Sequence, residues 1–420
     1  MKIAIRNGRV VDPANSVDRV CDVFVAAGKI AAIGDAPSDW HSNKEINAQG
    51  LVVAPGLVDL AVHVKRGTLA SELAAAAAGG VTSIVCPPDT DPVLDEPGLV
   101  DMLRMRANAQ HGAHLYPLGA LTKDLGGAQL AELSKLAQAG CIGFSQADSP
   151  IVDTQALWRA MQYATTFGFA VWLRPDDFYL SRDGSAHDGE VSSRLGLNGI
   201  PSFSETIAIS RIAQIAKALG TRVHLCKLST AQGVDMVRAA KRDGLQITAD
   251  VSIHQLHLTD IDIGHYDANY RLTPPLRTGR DRDALIEGVR DGTIDCIVSD
   301  HTPRPLEQKQ LPFGEAAPGA SAVELLLSLT LRFAESAKID LPEALAAIGS
   351  RAARTAGLPA GTLATGAAAD ICVFDPTAYR HITAASLISA GKNTPFLGYE
   401  LPGVVRATVA GGHLAYEANA

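Results

Sequence analysis

Short apolar runs alternate with longer helical patterns through most of this chain. Repeated strand–helix units build a parallel sheet, and eight of them over about 300 residues are typical of a (β/α)8 TIM barrel. An α/β doubly wound open sheet is the alternative, although the G-x-G-x-x-G turn of its dinucleotide-binding version is absent. The eight candidate strands are 58–64, 82–87, 114–121, 141–146, 170–174, 222–229, 247–254 and 295–301.

Helical patterns separate these strands, while both ends of the chain have a different pattern. The candidate helices include 71–78, 129–139, 154–165, 205–219 and 282–290. The first fifty and last sixty residues read instead as short strands and turns. We therefore predict a barrel over 54–361 and one small β-sandwich composed of 1–53 and 362–420.

Composition narrows the class of partner. The 420 residues carry a net charge of −8, with a pI near 5.8, which argues against binding to nucleic acid or an anionic membrane. No apolar run reaches the roughly 20 residues of a membrane helix. Six cysteines stand far apart without a C-x-x-C pair, which suggests reduced thiols. We expect a cytoplasmic protein.

The active site of a barrel lies at the carboxyl ends of its strands. In this chain those ends carry His63, Arg174, Lys227, His254 and Asp300, among others. Ionisable groups gathered in one mouth are costly to bury unless they are paired or used in catalysis. The pattern is compatible with a functional site and equally with an inward salt-bridge cluster.

Several motifs resemble those of a known family. Residues 54–63, APGLVDLAVH, resemble the first-strand motif P-G-L-V-D-x-H-x-H of the amidohydrolase superfamily. The stretch 78–90 resembles the second strand of type I dihydroorotases, and the resemblance is collinear over essentially the whole chain. The other matching segments are Phe144-Ser145, 229–231, 269–277 and 291–303. This resemblance implies a TIM barrel with a sandwich built from both ends.

The resemblance also implies a zinc site, and there the sequence departs from the family. Active relatives use two first-strand histidines, an acid or carboxylated lysine on strand four, histidines on strands five and six, and an aspartate on strand eight. Zinc needs three or four such donors. The six equivalent positions here are Ala61, His63, Gln146, Arg174, Lys227 and Asp300. Only His63 and Asp300 remain of the family's ligands, and we therefore predict no metal and no other cofactor.

The substrate-binding positions differ as well. The family binds the substrate carboxylate with an arginine and an asparagine, and the matching residues here are Lys65 and Asp89. Lysine attracts a carboxylate without the bidentate fork of arginine, and aspartate repels one. The segment His301-Thr-Pro-Arg304 lacks the second histidine of D-H-A-P-H.

The residues left in the pocket also have structural interpretations. We expect Asp300 to form an ion pair with Arg174 or Lys227, and His63 to be a hydrogen-bonded residue of the mouth. Each has a catalytic alternative, since Asp300 would be the general base of an active relative.

Three other histidines are assigned structural positions. His254 and His257 are expected near the end of strand seven with their hydrogen bonds satisfied. His224 lies three positions before Lys227, an odd offset that predicts a side chain facing away from the barrel interior.

Three hypotheses follow for function. The favoured one is a non-catalytic dihydroorotase-like protein, as found among family members that form a complex with aspartate carbamoyltransferase in pyrimidine biosynthesis. It implies a hetero-oligomer, with self-association as a further expectation. The second is an active zinc dihydroorotase with an atypical site. The third is a metal-free protein that holds a small anion with Lys65, Arg174 and Lys227.

Overall fold

A computed structural model describes residues 1–65 and 67–418, and within them eight parallel strands curl into a barrel. A helix follows each strand in the chain. In chain order, barrel strands 1 to 8 are Leu57–Asp59, Val81–Cys86, His114–Pro117 (continued by Gly119–Ala120), Phe144–Ser145, Val171–Leu173, Val223–Leu225, Ile247–Ser252 and Cys296–Val298. The predicted strands are all present, and most are shorter than expected.

Strand pairing closes this sheet on itself. Strand 3 pairs with strand 2 through its first segment and with strand 4 through its second. A parallel bridge between Val62 and His301 joins strand 1 to strand 8. Val58, Leu118 and Trp172, from three different strands, meet in one buried cluster that fills the interior. The barrel prediction is therefore confirmed, and the open sheet is excluded.

The helices form an outer layer, and each predicted helix is present. Their starts follow local chemistry. For example, Thr278 and Asp281 form a reciprocal capping box at one of them. None in the described ranges is long and apolar enough to cross a membrane. The helices are Leu69–Ala78, Pro97–Asn108, Leu133–Gln138, Thr154–Thr166, Phe178–Ser181, Glu190–Leu195, Phe203–Leu219, Ala231–Arg242, Ile253–His257, Gly279–Arg290, Leu306–Lys309, Leu326–Ala337, Leu341–Ala347 and Ser350–Ala356.

The two ends of the chain build a separate β-sheet domain, as predicted. Its central strand, Val52–Pro55, pairs with Ile3–Asp12 on one side and with Ile371–His381 on the other. One continuous sheet folds around an apolar core that includes Ile5, Val25 and Val373. The bounds 53/54 and 361/362 remain a prediction. The remaining strands of this sheet are Val17–Ala26, Lys29–Ile33, Lys44–Asn47, Glu400–Ala410 and His413–Glu417.

Candidate functional site at the barrel mouth

His63, Lys65 and Asp89 form one network at the mouth. Nδ1 of His63 lies 2.8 Å from Oδ1 of Asp89, and Nζ of Lys65 lies 2.7 Å from Oδ2. Burial opposes ionisation of Asp89, but the attraction of His63 and Lys65 outweighs burial and holds the pKa of Asp89 well below its usual range. His63 is thus a hydrogen-bonded mouth residue, as expected. The predicted substrate-binding residues Lys65 and Asp89 neutralise each other.

Arg174, Lys227 and Asp300 meet in a second network. Nζ of Lys227 lies 3.0 Å from Oδ1 of Asp300 and 3.1 Å from Oδ1 of Asp148. Nε of Arg174 lies 2.8 Å from the same Asp148 oxygen, and its Nη2 lies 3.0 Å from Asp176. The expected ion pair of Asp300 is therefore present, with Lys227 as its partner. Both buried cations are compensated by carboxylates, as buried charges require.

The pKa directions follow from this arrangement. Burial opposes the charge of Asp148, but Lys227 and Arg174 prevail and lower the pKa of its carboxyl to about 2. Burial raises the pKa of Asp300 to about 6, and the nearby charge of Asp148 adds to that rise. Burial would lower the pKa of Lys227, yet Asp148 and Asp300 raise it above its usual range. Lys227 is therefore an ammonium ion at neutral pH.

The sequence interpretation missed Asp148 and Asp176, which carry much of this network. Asp148 lies three residues after the fourth-strand motif Phe144-Ser145. Ala147 has a left-handed φ of 49°, a conformation that is uncommon outside glycine. Asp176 follows Arg174 by two residues and also accepts a hydrogen bond from Ser204, at 2.5 Å. A signal was available, because a buried arginine requires a nearby carboxylate.

Gln146 stands apart from both networks. Its amide nitrogen donates to Oγ1 of Thr122 at 2.9 Å and to the carbonyl of Leu125 at 2.7 Å. The side chain thus ties strand 4 to the loop after strand 3. An amide at the position of the family's bridging acid is here a structural residue.

The structure contradicts the prediction for His254 and confirms the one for His257. His254 lies on the helix Ile253–His257 rather than at the end of strand 7, and among the described residues neither of its ring nitrogens has a hydrogen-bond partner. It stacks on Phe396 instead, and burial lowers its pKa to about 3. His257 matches the expectation of a satisfied group, since its Nε2 lies 2.9 Å from the carbonyl of Leu329.

His224 faces the barrel interior and not away from it. Its ring packs on Trp172 and lies 2.8 Å, through Nε2, from Oδ2 of Asp250. The alternation argument failed because strand 6 ends at Leu225, and Lys227 then adopts a left-handed φ of 59°. Both His224 and Lys227 consequently reach the interior.

His224, Cys226 and Asp250 form the one group of three potential metal ligands found among the described residues. Two ligands of a tetrahedral zinc ion at about 2.05 Å would stand about 3.3 Å apart. The 2.8 Å between His224 and Asp250 is instead a hydrogen-bond distance. Burial raises the pKa of Cys226 well above its usual value, which favours the neutral thiol. The group fits a hydrogen-bonded pair beside a packed thiol better than a zinc site.

The space at the mouth is divided in two. A cavity of about 30 Å³ lies among Ala61, His63, Asp148, Arg174 and Lys227, enough for about two water molecules. Above it, a groove of about 610 Å³ opens at the rim, a size that suits a small molecule. The ion pairs of Arg174 and Lys227 lie where the two spaces adjoin.

Comparisons with known proteins show which families and relatives this chain is similar to. The Dihydro-orotase-like family matches residues 50–233, and the Amidohydrolase family matches residues 184–415. A dihydroorotase-like protein of Pseudomonas aeruginosa is 42% identical over 423 residues, which cover 99% of this chain and 100% of the relative. A dihydroorotase of a Geobacter species is 35% identical, with 100% of both chains covered.

Solved structures agree on the fold. L-hydantoinase (dihydropyrimidinase) from Arthrobacter aurescens superimposes with a TM-score of 0.86 over 99% of this chain and 96% of its own. At 24% identity, this likeness shows the architecture of barrel and terminal sheet.

Proposed function

The chain belongs to the dihydroorotase-like branch of the amidohydrolase family, and from that membership we propose that it is a non-catalytic member. In this proposal it lacks the zinc site and serves as a structural partner of aspartate carbamoyltransferase in pyrimidine biosynthesis. The observation that carries the proposal is the pair of buried cations, Arg174 and Lys227, at the positions of two zinc-binding histidines.

Those cations oppose a metal in two ways. Arginine has no lone pair available for coordination at physiological pH, and Lys227 is held in its protonated form by Asp148 and Asp300. A unit charge 4 Å from a dication would add about 8 kcal/mol of repulsion at an effective dielectric of 20. The ion pairs of Lys227 also use Asp300, one of only two remaining family ligands.

The substrate side supports the same proposal. Asp89 places a carboxylate where the family has a neutral asparagine, and the Lys65 ammonium is already bound to it. An incoming substrate carboxylate would have to displace that ion pair. The 30 Å³ cavity beneath is too small for a six-membered ring.

The contacts at the barrel mouth bear on catalysis and not on assembly with a partner protein. Assembly is supported by the family resemblance, because a chain that keeps the fold without the metal ligands can still present its outer surfaces. If the mouth has no catalytic role, a partner is the simplest reason to retain the whole architecture.

We expect the chain to co-elute with aspartate carbamoyltransferase from the same organism when the two are mixed at micromolar concentrations. Size-exclusion chromatography with light scattering would show one species heavier than either protein alone. The Lys227→Met variant, altered only inside the mouth, is a control that should still bind if it is folded. Two peaks at the positions of the separate proteins would refute the partnership.

A further inference from the structure

Five arginines line the groove at the rim of the mouth, and three of them are linked to carboxylates, either directly or through a hydroxyl group. Arg174 is neutralised by Asp148 and Asp176, and Arg182 lies 3.3 Å from Asp183. The third, Arg277, donates to Oγ of Ser229, which in turn donates to the carboxylate of Glu205. Arg174 and Arg182 are thus paired directly with carboxylates, and Arg277 is linked to the carboxylate of Glu205 through Ser229.

Arg271 and Arg304 are different. Arg271 donates from Nη1 to the carbonyl of Ser185 at 2.8 Å, and its buried Nε has no acceptor within residues 1–65 and 67–418. Arg304 donates from Nε to the carbonyl of Pro318 at 2.7 Å. In the described part of the chain, neither guanidinium has a carboxylate within 4.0 Å. Carbonyls orient both groups without neutralising them.

Lys309 adds a third positive group next to this pair. Its buried ammonium donates to the carbonyls of Ala317 and Gly319, at 3.0 and 3.1 Å. Burial, together with repulsion from Arg304 and Arg271, lowers the pKa of Lys309 to about 7. Lys309 therefore lies close enough to both arginines to be repelled by them, an arrangement that an anion would stabilise.

We propose that Arg271 and Arg304 bind an oxyanion, a carboxylate or a phosphate, of a small molecule that lies in the rim groove. Guanidinium groups suit such oxyanions because their planar forks donate two parallel hydrogen bonds. The groove has the volume of a small-ligand site. Lys309 is a positioning residue, since its donors already hold the loop between Leu306 and Gly319.

This site is distinct from the anion site considered from the sequence. The three residues considered there, Lys65, Arg174 and Lys227, each have a carboxylate partner at 3.1 Å or less. An anion at that level would compete with an aspartate that is already bound. At the rim it would meet uncompensated charge, and no zinc or catalytic step is involved.

The test is isothermal titration calorimetry of the full chain with inorganic phosphate and, separately, with succinate. Sodium chloride at matched ionic strength controls for screening. We expect at least one probe to bind the wild type, and Arg304→Gln and Arg271→Gln each to weaken binding by about 10-fold or more, the effect of losing a charge-assisted hydrogen bond. The matched control is Arg182→Gln, an arginine of the same groove that is already paired, and it should bind as the wild type does.

Binding of succinate alone would assign a carboxylate ligand, and binding of phosphate alone a phosphate ligand, and both results support the site. Two variants are needed because Arg271 also holds the carbonyls of Gly184 and Ser185, so that Arg271→Gln can disturb the loop. The proposal is overturned if neither probe binds beyond the chloride control, or if both variants bind like the wild type.

Discussion

Replacing Lys227 with methionine is expected to lower the free energy of unfolding by about 3–5 kcal/mol, the usual cost of breaking a buried ion pair from one side. Lys227 and Asp300 have side-chain exposures of only 5% and 7%. Without the ammonium, Asp300 loses its ion-pair partner and Asp148 keeps only Arg174. Urea denaturation at pH 7, followed by circular dichroism, measures the change.

Two further variants test whether the loss of unfolding free energy in Lys227→Met comes from the broken ion pair. The double variant Lys227→Met with Asp300→Asn should regain much of the stability, because it removes the unpaired carboxylate together with the cation. Lys241→Met is the matched control. Lys241 and Asp295 lie 2.7 Å apart with side-chain exposures of 24% each, and a pair that reaches solvent contributes about 1 kcal/mol or less. If Lys227→Met costs no more than Lys241→Met, buried ion pairs do not hold the mouth together.

The second large effect is a pH dependence that originates at His254 and His257. Burial lowers their pKa values to about 3 and about 4, whereas an unfolded histidine has a value near 6.5. Below pH 6.5 the unfolded chain therefore binds more protons, and stability falls as pH decreases towards the folded pKa values. From pH 7 to pH 5 each histidine should cost the folded state about 2 kcal/mol.

The variant His254→Phe isolates one of these contributions, and the phenyl ring preserves stacking on Phe396. Asp59 and Asp300, whose pKa values are raised to about 6, titrate in the opposite sense, but they cancel when variant and wild type are compared. We expect the variant to lose about 2 kcal/mol less than the wild type between pH 7 and pH 5. His413→Gln, at an exposed position, should follow the wild type. Parallel curves for His254→Phe and wild type would contradict a neutral buried His254.

Much of the fold was accessible from the sequence. The barrel strands are apolar runs between helical patterns, and that periodicity survives without any knowledge of packing. The ends of strands were less accessible. Residues 247–254 read as one run, yet the chain turns at Ser252, whose hydroxyl accepts a hydrogen bond from the backbone N–H of His254 and starts a short helix. A local side-chain cap overrode the apolar pattern there.

Most residues of the site could be predicted from the sequence, but most of the ion pairs between them could not. Family motifs located His63, Arg174, Lys227 and Asp300, and simple charge arguments anticipated the ion pair of Asp300. Asp148 was not predicted because it lies beyond the end of strand 4. Left-handed residues at Ala147, Lys227 and Asp300 redirect the chain after three strands, and period-two alternation cannot represent such turns.

The most direct test of a non-catalytic barrel mouth is hydrolysis of dihydroorotate, and its reverse ring closure, by the purified chain supplied with zinc. We predict rates equal to the protein-free blank and equal to those of Asp300→Asn, which removes the carboxylate that would act as general base. Turnover above the blank that disappears in Asp300→Asn would contradict this account.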